Sequence, residues 1–138
     1  MIGQMTAEEV ILLKLLRIYL VRNPKDDSIV CFETDWNAIF TIAKQQGVSA
    51  IVLDAIDLLN AQPRPSESVL IQWIKHSVMT GRNYMKHADQ IHTLADFYNQ
   101  HSIRVLLLKG YGCSLCYPTP EHRPSGDIDI YLFGMQTK

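Results

Sequence analysis

The sequence predicts an α+β chain that is mostly α: a helical N-terminal region followed by the first part of an α/β unit. Three observations carry that expectation. Apolar residues recur every three or four positions from Val10 to Tyr98. The rhythm breaks at His101, and a short branched-apolar run follows, Ile103 to Leu108. A second short run, Asp127 to Phe133, alternates acidic or aromatic residues with Ile and Leu. A period of 3.6 marks a helix face and a period of two marks a strand face. The expected organisation is a helical region over 1–65, then a long helix and a partial α/β core over 66–138.

Each element has its own signal. Thr6 and Glu9 fit a capping box, in which a hydroxyl caps the helix start and the Glu three residues on reaches back. The helix that follows carries Leu12, Leu13, Leu16 and Tyr19 and is expected to end at Asn23–Pro24, because the residue before proline avoids helical backbone. A second helix starts at Thr34 or Asp35, turns Trp36, Ile39, Phe40 and Ala43 inward, and stops at Gly47. A third runs from Ser49 to Asn60. Residues 62–65, with Pro63 and Pro65, form a stiff connection.

Ser66 caps the longest pattern. Leu70, Trp73, Ile74, Val78, Tyr84, Met85, Ile91, Leu94, Ala95 and Tyr98 make its expected apolar stripe. Unbroken, such a helix is roughly 50 Å long at 1.5 Å per residue. Gly81 is a candidate break, since glycine costs about 1 kcal/mol in a helix interior. Beyond the buried strand at 103–108, Lys109–Gly110 punctuates the chain, Tyr111 to Cys116 makes a short helix, and 117–126 is a loop.

Bulk composition excludes several classes. Thirteen Lys and Arg against 14 Asp and Glu give a net charge of −1, which is not the basic surface of a protein that coats nucleic acid. Three cysteines, Cys31, Cys113 and Cys116, do not make a secreted disulfide framework. The most apolar run, Val10 to Val21, is interrupted by Lys14 and Arg17 and falls short of the roughly 20 residues a membrane span needs. A cytoplasmic protein that contacts no membrane is the expectation.

The chemistry concentrates near the C-terminal end. Aspartate is depleted in strands, yet Asp127 and Asp129 sit at alternate positions of one and share a face with Tyr131. A bare Asp-x-Asp is commonly a turn cap beside a solvated strand residue. The context here points further. Two carboxylates this close repel, and a cation between them relieves the repulsion. Magnesium takes oxygen ligands and binds through one or two carboxylates plus substrate phosphates. The EF-hand alternative fails, because Tyr131 and Leu132 stand where its loop needs Asp or Asn and then Gly. Upstream, Lys109 and Gly110 join a strand to a helix, offering a point charge and open backbone to a phosphate. Arg123, Ser125 and Gly126 complete a basic, glycine-containing loop just before the acidic pair.

The segment LLLKGYGCSLCYPTPEHRPSGDIDIYLF, residues 106–133, resembles the nucleotidyltransferase superfamily that includes DNA polymerase β. It is closer to a bacterial branch of uncharacterised nucleotidyltransferases, marked by a Leu-Lys-Gly turn, a Tyr-Pro loop and an Arg-x-x-Gly-Asp-Ile-Asp segment. That branch also has a helical N-terminal region. The resemblance implies transfer of a nucleoside monophosphate from an NTP to an acceptor hydroxyl, with two Mg²⁺ ions held by Asp127 and Asp129 as catalytic and metal residues. It implies nucleotide contacts from Lys109, Gly110, Arg123, Ser125 and Gly126. Acceptors across the superfamily include nucleic acid, protein and small molecules. Two departures stand out. Tyr111 follows Gly110 where the superfamily usually has Gly or Ser, so a serine contact to phosphate is missing. The third carboxylate expected on a later strand has no counterpart after Asp129, so the expectation is the N-terminal portion of a longer enzyme, inactive alone. The alternative is a non-catalytic helical binding or assembly module carrying an incomplete core, with self-association through exposed strand edges.

Other signals are weaker. Cys113 and Cys116 lack a second ligand pair for zinc and are expected to be small core-facing residues, with a redox pair as the alternative. His76, His87, His92, His101 and His122 contain no i, i+4 pair, and most are expected to be solvated. Trp36 and Trp73 are expected in the core.

Overall fold

The computed structural model describes residues 5–22, 33–59, 64–124 and 126–134. Its elements run α1 (Ala7–Val21), α2 (Trp36–Gln45), α3 (Ser49–Asp57), α4 (Glu67–Gln100), β1 (Val105–Leu108), α5 (Gly110–Ser114), a 3₁₀ turn (Pro120–His122) and β2 (Asp129–Leu132). The chain is α+β and mostly α, with a two-stranded antiparallel sheet. It divides into two compact units, Met1–Val78 and Met79–Lys138, and α4 contributes to both.

The capping signals act as the sequence predicts. Thr6 Oγ1 accepts from the Glu9 N–H at 3.2 Å, and the Glu9 carboxylate accepts from the Thr6 N–H at 2.8 Å. Asp35 caps α2 by accepting from the Ala38 N–H at 3.0 Å. Gly47, at φ 68°, takes the left-handed turn that separates α2 from α3. The expected stop of α1 at Asn23–Pro24 lies outside the described residues, as do Gln62 and Pro63. Within them, α1 ends at Val21 with Arg22 in left-handed backbone. The third helix is shorter than the expected 49–60. It tightens after Asp57, where the Leu58 N–H bonds the Ala55 and Ile56 carbonyls.

The first unit is built around Trp73, which is fully buried. Phe40 packs on it with ring centroids 5.1 Å apart, and Trp36 meets it edge-on at 6.5 Å. The Trp73 indole N–H donates to the Ser49 carbonyl at 2.6 Å. Leu15 and Tyr19 of α1, Ile39 and Ala43 of α2, and Val52 and Ile56 of α3 complete this core, with α1 lying against both other helices.

The long helix is continuous through Gly81, so the candidate break is not realised. The expected stripe needs correction. Ile74, Val78 and Met85 are exposed, and the buried line runs through Val69, Trp73, Ser77, Tyr84, His87, Ala88 and Ile91. Trp73, Tyr84 and Ile91 of the expected stripe are buried, and packing rotates the rest of the line by about one residue away from Ile74, Val78 and Met85. His87 is therefore buried and His76 half-buried, and with His122 also half-buried three of the five histidines are shielded, against the expectation that most are solvated.

The strands are shorter than expected, and the first is not fully buried. Val105 and Leu107 are half-buried, whereas Leu106 and Leu108 face outward. A two-stranded ribbon covers one of its faces and leaves the other open. β1 pairs with β2 in the register Val105 with Leu132, Leu106 with Tyr131, Leu107 with Ile130 and Leu108 with Asp129.

Candidate functional site

The register of the two strands assembles the candidate site within the second unit. Leu108 stands opposite Asp129, so the turn that leaves β1 emerges beside the acidic end of β2. Lys109 Nζ lies 3.8 Å from Asp129 Oδ2, with both side chains largely solvent-accessible. An ion pair this exposed contributes about 0–1 kcal/mol. It is a weak restraint that a stronger ligand of either charge displaces.

The turn itself is conformationally unusual. Lys109 has φ 47° and ψ −143°, a region that favours glycine, and Gly110 follows at φ 33°. A Cβ at Gly110 would meet the Asp127 carbonyl oxygen at 3.4 Å. Gly110 is thus packed against the backbone of the first acidic residue. Asp127 precedes β2 rather than beginning it, a correction to the expected 127–133 strand. The alternation survives all the same. Asp127, Asp129 and Tyr131 are exposed, and Ile128, Ile130 and Leu132 are half-buried.

Arg123 closes the site from the loop. Its Nη1 donates to the Gly110 carbonyl at 3.0 Å and to the Pro124 carbonyl at 3.2 Å. The side chain thereby ties the 120s loop to the Lys109–Gly110 turn. Gly126 is exposed with open space around it, and Ser125 lies outside the described residues. Among the described residues, no cluster of three or more His, Cys, Asp or Glu could hold a metal, so the acidic pair stands without a third protein ligand there.

Behind the turn, a buried hydroxyl relay fixes α5, and local sequence reading missed it. Ser114 is fully buried, and its Oγ donates to the Tyr111 carbonyl at 2.6 Å. That uses its one hydrogen, so the Tyr84 hydroxyl, 3.0 Å away, donates to Ser114. The Tyr84 and Tyr111 rings stack at 5.4 Å. Burial, then the adjacent Tyr84 and its hydrogen bond, raise the Tyr111 phenol above the ordinary tyrosine value. The only hint in the sequence is a serine in the short glycine-containing helix 110–114. Because Ser114 takes the inward position, Cys113 and Cys116 are exposed and free, not core-facing.

No helix among the described residues is long and apolar enough to cross a membrane. A family profile described as an uncharacterised nucleotidyltransferase matches residues 33–133, which takes in α2 through β2. Searches of curated proteins and of solved structures returned no significant match.

Proposed function

The chain belongs to the uncharacterised nucleotidyltransferase family, and from that premise we propose that its second unit transfers a nucleoside monophosphate from an NTP to an acceptor hydroxyl, with Asp127 and Asp129 as the metal-binding pair. One observation carries the reading. The Lys109–Gly110 turn and the two aspartates, distant in sequence, are brought together by the β1–β2 register and the contact of Gly110 with the Asp127 carbonyl.

The donor set fits magnesium. Two exposed carboxylates supply hard oxygen ligands and leave the remaining positions to water and phosphate oxygens, the arrangement Mg²⁺ favours. When bound, Mg²⁺ supplies charge neutralisation for the triphosphate and acidifies an acceptor hydroxyl. Lys109, 3.8 Å from Asp129 and exposed, would offer its ammonium to the phosphates. Gly110 lets the backbone approach the triphosphate without a side chain in the way. Arg123 acts through the carbonyls it holds, keeping the turn beside Asp127.

The test is equilibrium binding of a non-hydrolysable NTP with Mg²⁺ or with chelator. The wild-type chain is expected to show a Mg²⁺-dependent component. Asp127→Asn with Asp129→Asn is expected to weaken that component at least about tenfold, the equivalent of one lost charge-assisted contact of about 1.5 kcal/mol. Equal Mg²⁺-dependent binding by wild type and double variant overturns the assignment.

A further inference from the structure

The exposed cysteine pair at the end of α5 plays no part in the proposed transfer. Cys113 lies within α5, and Leu115 caps the helix in αR backbone at φ −64° and ψ −13°. The Cys116 N–H donates to the Cys113 carbonyl at 3.1 Å. That i to i+3 bond is of the 3₁₀ type, in which side chains three apart eclipse one another. A four-residue turn brings its end Cα atoms within about 7 Å, and disulfides span Cα separations of about 4.4–6.8 Å. Both thiols are free and exposed. The backbone between them is anchored: Ser114 is locked to Tyr84 and to the Tyr111 carbonyl, and the Tyr117 N–H bonds the Ser114 carbonyl at 2.9 Å. Two accessible thiols are therefore held at the two ends of a fixed turn.

We propose that Cys113 and Cys116 form a reversible dithiol–disulfide site that exchanges with small-molecule disulfides. One cysteine, as thiolate, attacks a sulfur of the small disulfide and expels one thiolate, leaving a mixed disulfide on the protein. The second cysteine thiolate attacks the protein sulfur of that mixed bond, closes the Cys113–Cys116 bridge and expels the second small thiolate. Two protein thiols are oxidised and one small disulfide is reduced to two thiols, which take up the two protons. Closing the ring costs little chain entropy, because the turn is already formed. The bridge clamps the C-terminal end of α5. The assignment is independent of nucleotidyl transfer.

The test is a redox titration of the whole chain against graded ratios of reduced and oxidised glutathione, followed by acid quench, alkylation of free thiols and peptide mapping by mass spectrometry. Two of the three thiols are expected to disappear together in one transition, with the bridge mapped between Cys113 and Cys116. Cys31→Ser is expected to leave that transition in place. Cys113→Ser and Cys116→Ser are each expected to stop at a mixed disulfide with glutathione. Retention of all three thiols, single glutathionylation of the wild type under oxidising ratios, or a bridge mapped to Cys31 or to a second chain overturns the proposal.

Discussion

Replacing Ser114 by alanine gives a prediction whose sign depends on the relay around it. Ser114 Oγ accepts from the Tyr84 hydroxyl at 3.0 Å and donates to the Tyr111 carbonyl at 2.6 Å, and both Ser114 and Tyr84 are buried. Ser114→Ala removes the acceptor of the Tyr84 phenolic hydrogen and leaves only the neighbouring Tyr111 phenol within reach, and a buried group that loses its partner costs about 1–3 kcal/mol. We take about 2 kcal/mol for this variant, within that range. Tyr84→Phe is milder. Ser114 keeps its donation to the Tyr111 carbonyl and loses one accepted bond, for about 1 kcal/mol. In the Ser114→Ala background the same Tyr84→Phe change removes the group that lost its partner. The double variant should therefore recover about 1 kcal/mol relative to Ser114→Ala alone, since replacing both partners by apolar groups is far cheaper than replacing one. The assay is urea unfolding followed by far-UV circular dichroism. A loss of 2 kcal/mol moves the midpoint by about 1 M at an m-value near 2 kcal/mol/M. Trp36 and Trp73 both lie in the first unit, so their fluorescence tracks that unit separately. Additive losses, with Tyr84→Phe costing as much in the alanine background as in wild type, would falsify the relay.

Three further outcomes follow from the same geometry. At Lys109, whose backbone sits at φ 47° and ψ −143°, glycine should be more stable than alanine by about 1 kcal/mol, because only glycine relieves the strain; thermal denaturation of the two variants decides it, and alanine equal to or above glycine refutes the strain. Gly110→Ala places a Cβ 3.4 Å from the Asp127 carbonyl on positive-φ backbone and should cost about 1 kcal/mol in urea unfolding while weakening Mg²⁺-dependent nucleotide binding; unchanged stability and binding count against the turn. For His76, burial and then the Lys44 charge hold the imidazole below its ordinary value of 6.5, so the unfolded chain binds the proton more readily. Its contribution is fully present above pH 6.5 and is lost as the pH falls through the lowered folded value. The urea midpoint should drop between pH 7.5 and pH 5.5, His76→Gln should flatten that drop, and an unchanged slope refutes the assignment.

Helix starts and the chain order of the candidate site residues were legible from local sequence. Thr6 with Glu9, Asp35, and Gly47 mark helix ends through contacts within three or four residues, so local chemistry suffices to read them. The alternation across Asp127 to Leu132 likewise exposes one face and turns the other inward, as a period of two requires. Lys109, Gly110, Arg123, Asp127 and Asp129 were all legible as a set, since unusual residues in a strand and at its turn stand out against propensity.

What depends on which faces meet came from packing. On α4 the local pattern already holds Trp73, Tyr84 and Ile91, but only packing drops Ile74, Val78 and Met85 from the buried line and adds Val69, Ser77, His87 and Ala88. Ser114 takes the inward position of α5 because Tyr84 on α4 offers it a hydroxyl, and that displaces both cysteines to the surface. Arg123 reaches a carbonyl of the turn, and the antiparallel register seats Leu108 opposite Asp129 and so brings Lys109 beside it. These are contacts between residues far apart in the chain. Their geometry is set by the closure of loops and by complementary surfaces, and neither is written in the spacing of neighbouring residues.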